Sequence, residues 1–149
     1  MSAPDIRAEI ALLLSNQSTL TLATLEPSGR PIAASLFFAA DLALNLYWTS
    51  SSKSRHSRNL ARDPLAAITV HTATWSWRDI ASVQLEGEAD EIEPGPDWQA
   101  ALALYLAKFL FAKEFEAELT RSSFYRFSPR WGRLIDNGQG FGHKEEISF

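Results

Sequence analysis

Three short apolar runs separated by two turn signals constrain the fold of this chain more than any other feature. The runs are residues 18–25, 31–39 and 44–49, each of a length typical of a β-strand. Residues 26–29, Glu-Pro-Ser-Gly, place proline and glycine where a β-turn prefers them, and residues 41–43 form the second turn signal. Two successive hairpins predict an antiparallel sheet rather than alternating β-α-β units.

The remaining segments continue this pattern. Further strand-like runs cover residues 65–72, 80–91, 123–128, 131–136 and, as a short tail, 145–149. Gly87 inside one of them predicts a bulge or a close approach of two backbones. Helical periodicity predicts an amphipathic helix over residues 3–15, capped by Ser2, and a longer helix over 98–118 with a break near Phe111. We therefore expect one mainly β domain over residues 1–149, an antiparallel barrel of six or seven strands, closed or split, with peripheral helices.

Composition excludes several classes of function. The chain has no cysteine, which excludes disulfides, thiolate catalysis and cysteine-ligated metal sites. Its net charge of −4 argues against a nucleic-acid partner. No apolar run approaches the roughly 20 residues that span a bilayer, and the first residues lack the pattern of a secretory signal. We expect a cytoplasmic protein without a membrane or nucleic-acid partner.

Residues 50–60 carry a dense group of hydroxyl and basic side chains. They follow one strand-like run and precede Asp63 and Pro64, which end the predicted short helix. Lys53, Arg55 and His56 lie where that helix begins. Free backbone N–H groups and the positive end of the helix dipole meet at such a place, so it favours a phosphate group.

A simpler interpretation of this segment stays open. Ser52 or Ser54 could serve only as the helix cap, which is a common role for serine. Arg55, Arg58 and Arg62 recur at a spacing that puts them on one helix face, and that face could simply be solvated.

The second predicted strand is apolar on both faces over residues 32–38, so neither side should face water. Its small residues Ala33, Ala34 and Ser35 would let a flat group approach the backbone, although a tight barrel interior would select the same residues. Together with Trp75 and Trp77, which share a face, this apolar surface exceeds what one small barrel should expose. We therefore expect a homodimer. The tryptophans would wall a substrate pocket, or cover the barrel mouth or the dimer contact.

Six stretches, in this order, resemble the FMN-binding split-barrel superfamily related to pyridoxamine 5′-phosphate oxidase. They are residues 21–25, 29–31, 35–38, 46–50, 54–60 with 63–64, and 83–87. The C-terminal stretches are similar to a small bacterial branch of that superfamily, and they are residues 124–129, 135–137 and 140–146.

The resemblance implies a homodimer with FMN in the groove between the subunits. The positions that match the family's cofactor contacts are Ser35 and Leu36 beside the ring, Thr49 and Ser50 at the end of the third strand, Lys53, Ser54, Arg55 and His56 at the phosphate, and Gln84 on the opposite wall.

The chain departs from the oxidase at three points. Ala33 or Ala34 replaces an arginine, His56 replaces a lysine, and the substrate-binding C-terminal motif is missing. FMN is therefore expected, but oxidation of pyridoxamine phosphate is not. Haem or the deazaflavin F420, bound by related branches, stays open as an alternative.

The glycine-rich residues 137–143 are the second candidate region. Ordering such a loop costs much conformational entropy, so we expect a compensating partner. Our hypothesis places Phe141 near the flavin ring of its own or the opposite subunit, and Asn137 or His143 at the substrate. His143 is the candidate catalytic proton donor, with a haem ligand or a surface residue as alternatives. His71 is expected to be a packed neutral side chain.

The expected function is that of a flavin-dependent oxidoreductase acting on a small substrate, with no metal ion at the site. In a flavoprotein the cofactor supplies the reaction, so the absence of a catalytic triad or carboxylate pair is no objection. A flavin carrier or sensor without turnover is the alternative from another class, and a haem-binding relative is the third.

Overall fold

The computed structural model describes residues 5–149, so the expected cap at Ser2 lies outside the described residues. Helix α1 spans Ile6–Asn16 and follows Asp5, whose side chain accepts a hydrogen bond of 3.0 Å from the backbone N–H of Arg7. Its buried stripe of Ile10, Leu13 and Leu14 packs into the core of the sheet. The amphipathic pattern thus predicted the helix and its buried face.

Within residues 5–149 the sheet contains eight strands, and every pair is antiparallel. They are β1 (Thr19–Leu25), β2 (Pro31–Phe37), β3 (Ala39–Ala40), β4 (Leu46–Ser50), β5 (Leu65–His71), β6 (Ala81–Glu91), β7 (Ser123–Asp136) and β8 (Lys144–Ser148). The order is β2-β1-β5-β6-β7-β4-β3, and β8 also pairs with β7. β2 and β3 are separated only by Phe38, yet they lie at opposite edges of the sheet. The chain itself therefore joins the two edges. The expected antiparallel β fold is confirmed, and of its two expected forms, closed or split, the barrel is split; it has eight strands rather than six or seven.

Two strand boundaries differ from the expectation, for identifiable reasons. The expected strand over residues 31–39 divides at Phe38, which is fully buried, so β3 rather than β2 forms the hairpin with β4. Residues 123–136 form one strand instead of two. The first part of β7 pairs with β4 and its second part with β8, which explains the long continuous run.

Gly87 has the role that its position predicted. The register between β6 and β7 shifts between Glu86 and Gly87, opposite Pro129. A Cβ atom at Gly87 would lie 2.2 Å from the backbone oxygen of Ser128. Only glycine therefore lets the two backbones approach this closely.

The helices lie outside the barrel. Helix α2 spans Arg55–Arg62, α3 spans Pro96–Lys108, and a 3₁₀ helix over Leu110–Phe115 leads into α4, Glu116–Leu119. The expected break in the long helix therefore lies at Phe109, two residues before Phe111, because the buried Phe109 ring packs in a second hydrophobic cluster between α3 and β7. Within residues 5–149, no helix has the length and apolarity needed to cross a membrane.

Candidate functional site

The segment from Ser50 to Arg58, here called the α2 turn, is held by its own hydroxyl groups. Ser54 is the N-cap of α2: its Oγ accepts a hydrogen bond of 3.2 Å from the N–H of Ser57 and lies 2.9 Å from the carbonyl oxygen of Ser51. The capping interpretation is thus confirmed for Ser54. Ser52 is exposed, and its side chain makes no hydrogen bond within residues 5–149.

His56 faces back onto the end of β4. Its Nε2 lies 2.8 Å from the hydroxyl of Ser50, and the ring is half-buried. Burial lowers the pKa of His56 below its ordinary value, because the charged imidazolium loses hydration. The imidazole is therefore predominantly neutral near pH 7, although an anion placed beside it would favour the protonated form.

Two backbone donors of the α2 turn are free. In the described part of the chain, the N–H groups of Arg55 and His56 have no hydrogen-bond partner. They lie in the first helical turn, where unpaired N–H groups and the helix dipole favour an anion. The α2 turn can therefore bind a phosphate with two backbone donors and the neighbouring side chains.

The basic side chains near the α2 turn divide into bound and free groups. Arg55 forms a salt bridge with Glu26, donating from Nε at 3.0 Å, and this hydrogen bond holds the pKa of Glu26 below its usual value. Arg62 donates to the carbonyl oxygen of Leu25. Lys53 and Arg58 are exposed and make no salt bridge within residues 5–149. Lys53 is thus an uncommitted cation close to the free N–H groups.

Thr49 is directed away from the α2 turn. Its Oγ1 lies 2.5 Å from the hydroxyl of Ser122 and donates to the carbonyl oxygen of Ser123 at 3.1 Å. The side chain therefore ties β4 to the start of β7, while Ser50, one residue later, contacts His56.

One broad face of the sheet, here called the outer sheet face, carries the ring candidates. Strand alternation puts Ser35 on this exposed face and the half-buried Leu36 against the core, so the two residues lie on opposite sides of β2. Gln84 is exposed on the same side as Ser35. The cross-strand row that joins them runs through Ser35, Thr21, Thr69 and Gln84.

The neighbouring row of the outer sheet face is almost flat. It runs through Ala33, Ala23, Ala67 and Glu86. A cavity of about 320 Å³ lies over Ala23, Ala67 and Glu86 of this row, and it is also lined by Leu25 and Pro31. The sequence predicted ring contacts only on β2 and at Gln84. The period-2 alternation of residues 18–25 and 65–72 could also have pointed to Thr21, Ala23, Ala67 and Thr69.

Residues 137–143, here called the C-terminal loop, are locked to the loop between β5 and β6. Asn137 is buried; its Nδ2 donates to the carbonyl oxygen of Trp77 at 2.8 Å, and its Oδ1 accepts from the N–H of Gly142 at 2.9 Å. Both polar ends of this side chain are therefore engaged inside the protein. They hold the two loops as one unit.

The other candidates in this region are more accessible. Phe141 is 83% exposed and contacts the Trp77 ring edge-to-face, with ring centroids 5.6 Å apart. The half-buried His143 has its Nε2 at 3.6 Å from a carboxylate oxygen of Glu145. Trp75 is fully exposed, in a loop next to His71. The exposed His71 is bonded to its neighbour rather than packed: its Nδ1 lies 2.9 Å from the carbonyl oxygen of Thr72.

A single chain does not bring the two candidate regions together. The C-terminal loop follows Asp136, which pairs with Ala81 at the start of β6, whereas the α2 turn lies beyond the other end of this strand. An eleven-residue strand is on the order of 30 Å long. One small cofactor could contact both regions only if a second copy supplied one of them.

Comparisons with known proteins agree with this architecture. A family model described as pyridoxamine 5′-phosphate oxidase matches residues 6–136. A haem-binding protein from Mycobacterium smegmatis is 25% identical, with a TM-score of 0.84, and the match covers 99% of this chain and 60% of that protein. A protein of unknown function from Agrobacterium tumefaciens is also 25% identical, with a TM-score of 0.75 and coverage of 91% and 58%. This chain thus spans less than two thirds of both proteins.

A haem storage protein from Vibrio cholerae is similar in fold, with a TM-score of 0.70 at 22% identity over 82% of this chain and 88% of that protein. No protein with a curated description matches the chain by sequence.

Proposed function

This chain belongs to the pyridoxamine 5′-phosphate oxidase family, and on that premise we propose that it binds FMN between two copies of itself as a flavin-dependent oxidoreductase. The observation that carries the proposal is the α2 turn. Its free N–H groups at Arg55 and His56, beside the uncommitted Lys53, lie at the α2 end of the outer sheet face.

The residues present fit both ends of FMN. The phosphate carries nearly two negative charges and accepts several hydrogen bonds, which the α2 turn can donate. The alanines at positions 23, 33 and 67 leave a flat surface on which an isoalloxazine ring can lie close to the backbone. Ser35 and Gln84 border this surface with polar groups that can orient the ring. The bound flavin would supply the electron transfer, and the chain would supply binding and orientation.

A second copy of the chain is part of the proposal. The outer sheet face exposes Phe37, and the nearby loops expose Trp75 and Phe141. Exposed aromatic side chains of this kind are typical of interfaces. Pairing two outer sheet faces would cover them, and it would bring the partner's C-terminal loop towards the flavin. Phe141 and His143, rather than the internally bonded Asn137, are then the loop residues that could contact ring or substrate.

Haem is the second candidate, favoured by one comparison. The M. smegmatis protein is described as haem-binding. In this chain His143 offers a half-buried imidazole whose Nε2 has no hydrogen-bond partner among residues 5–149. F420 and a non-catalytic flavin carrier or sensor are further alternatives. A cytoplasmic location is part of the same proposal.

The visible spectrum and the mass of the co-purifying molecule separate flavin from haem and F420. Reduction of the bound flavin by NADH or NADPH, followed by reoxidation with candidate small substrates, separates an enzyme from a carrier. A haem spectrum with no flavin would overturn the first proposal.

The phosphate contact can be tested with two arginines of the same helix. Arg55 pairs with Glu26 when no ligand is bound, so the test asks whether its guanidinium exchanges that carboxylate for the phosphate. If it does, Arg55→Ala should weaken FMN binding by about 1.5–3 kcal/mol, the range for a lost charged hydrogen bond. Arg62→Ala should weaken it much less, because Arg62 donates to a backbone carbonyl instead. Flavin fluorescence titration measures both, and equal effects would mean that the arginines form only a solvated face.

A further inference from the structure

A second cavity lies between α1, the corner from β3 to β4, and α3. Its volume is about 660 Å³, within the range of small-molecule sites. The walls are mostly apolar. Beside five leucines they include Ala8 and Ala11 from α1, Ala39 and Ala40 from β3, and Ala107 from α3. None of these residues belongs to the outer sheet face or to the α2 turn.

Lys108 is the one cationic side chain among the residues that line this groove. Its Nζ donates to the carbonyl oxygens of Leu14 at 3.1 Å and Gln17 at 2.7 Å, and it lies 3.9 Å from the centroid of the Phe38 ring. An ammonium group has three N–H donors, so one has no oxygen or nitrogen acceptor among residues 5–149, although the rings of Phe38 and Phe109 lie close to the ammonium. No carboxylate of residues 5–149 lies within 4.0 Å of Lys108.

The single carboxylate in the groove lining does not compensate this charge. Asp41 accepts hydrogen bonds from the backbone N–H groups of Ala43 and Asn45, from the Asn45 amide, and from the Tyr47 hydroxyl at 2.9 Å. Its oxygens are thus committed to the β3–β4 turn. Burial lowers the pKa of Lys108 to about 8, so the ammonium is a poorly solvated cation without an anionic partner.

We propose that this groove is a binding site for a small amphipathic monocarboxylate, whose head accepts the remaining N–H of Lys108 and whose apolar body lies along the alanine walls. A half-buried cation at a mostly apolar groove is complementary to such a ligand. A dianion fits less well, because the carbonyl end of α1 is the negative end of its dipole. The site is independent of the proposed flavin site, with which it shares no residue.

Decanoate is a suitable probe, and decan-1-ol is its uncharged match. Isothermal titration of the full-length chain should show that decanoate binds at least tenfold more tightly than decan-1-ol. Lys108→Met keeps the length of the side chain and removes its charge, so it should abolish the preference while decanol binding persists. Lys113→Met, at an exposed lysine of the 3₁₀ helix, should leave both affinities unchanged.

A second variant covers the case in which Lys108→Met fails to fold, since Lys108 also binds the end of α1. Ala107→Trp fills the groove from an exposed position and should abolish binding of both probes. FMN binding should be unchanged in this variant, which separates failure of the groove from failure of the flavin site. Equal affinities for decanoate and decanol, undetectable decanoate binding, or decanoate binding that survives Ala107→Trp would each overturn the proposal.

Discussion

The α2 turn and the C-terminal loop are both polar and rich in small residues, but they are held together differently. In the α2 turn, the hydroxyl of Ser54 contacts groups no more than four residues away. In the C-terminal loop, the amide of Asn137 bonds to Trp77, 60 residues earlier in the chain. The first region is organised by local contacts, and the second by a contact across the fold.

This difference determines what each region has left for a ligand. The α2 turn satisfies its Ser54 and His56 side chains locally and leaves the N–H groups of Arg55 and His56 free. The C-terminal loop uses both ends of Asn137 internally and presents the ring of Phe141 to solvent. We therefore expect changes at Asn137 to affect stability, changes at Phe141 to affect binding, and changes in the α2 turn to affect both.

The largest effect on stability is expected at Asn137. Asn137→Ala removes two hydrogen bonds of a buried side chain and leaves the Trp77 carbonyl and the Gly142 N–H without that partner. The free energy of unfolding should fall by about 2–3 kcal/mol, since each unsatisfied buried group costs roughly 1–3 kcal/mol. Urea unfolding of the cofactor-free protein measures this change.

Gln139 provides the matched control in the same loop. Its amide is exposed, although it contacts Glu9 and Asp136, so Gln139→Ala should change the free energy of unfolding by less than about 0.5 kcal/mol. If Asn137→Ala left the free energy of unfolding unchanged and abolished flavin binding instead, the structural role assigned to Asn137 would be wrong.

The next effect concerns the cap of α2. Ser54→Ala removes the acceptor for the N–H of Ser57 and should lower the free energy of unfolding by about 1 kcal/mol. FMN affinity should fall as well, because the first helical turn loses its order. Ser52→Ala, at an exposed serine two residues earlier, should have neither effect. Similar losses for the two variants would show that Ser54 is not the effective cap.

Local features of the fold could be predicted from sequence, because their causes are local. Residues 26–29 specify a turn by their own conformational preferences, and β1 and β2 pair around it as expected. Ser54 caps a helix because of the residues within three positions of it. The division at Phe38 was missed, since only the closure of the barrel requires that ring inside. The continuity of β7 was missed for the same reason, because two different partner strands support its two parts.

The candidate site shows the same limit. The α2 turn could be proposed from sequence, and its serine, histidine and backbone donors lie together in the structure. The role of Asn137 could not be predicted, because no local pattern connects it to Trp77. The flat row of Ala23, Ala33 and Ala67 could not be predicted either, because it forms only when three strands align in register.

Phe141, in contrast to Asn137, is expected to affect binding rather than stability. Phe141→Ala should barely change the free energy of unfolding, because the ring is largely exposed. If a partner's loop covers the flavin, FMN affinity should fall by about 0.5–1 kcal/mol, the scale of one aromatic contact. Fluorescence titration measures this, with Phe149→Ala as the control at another partly exposed phenylalanine. An unchanged affinity would remove the C-terminal loop from the proposed site.

The smallest effect is a pH dependence at His56. Because burial lowers the pKa of His56 in the folded protein, the unfolded chain binds more protons once the pH falls below the ordinary value of about 6.5. The stability of the cofactor-free protein should therefore decrease as the pH falls from about 6.5 through the folded pKa.

A bound phosphate would reverse this preference by pairing with the imidazolium, so FMN binding should be accompanied by proton uptake. Calorimetric titrations in two buffers with different ionisation enthalpies measure that uptake. The phosphate itself titrates near pH ~6. Comparing wild type with His56→Gln therefore separates the proton uptake by His56 from the proton uptake by the phosphate. If wild type and variant take up the same number of protons, His56 does not contact the phosphate, and only the backbone donors and Lys53 remain as its proposed partners.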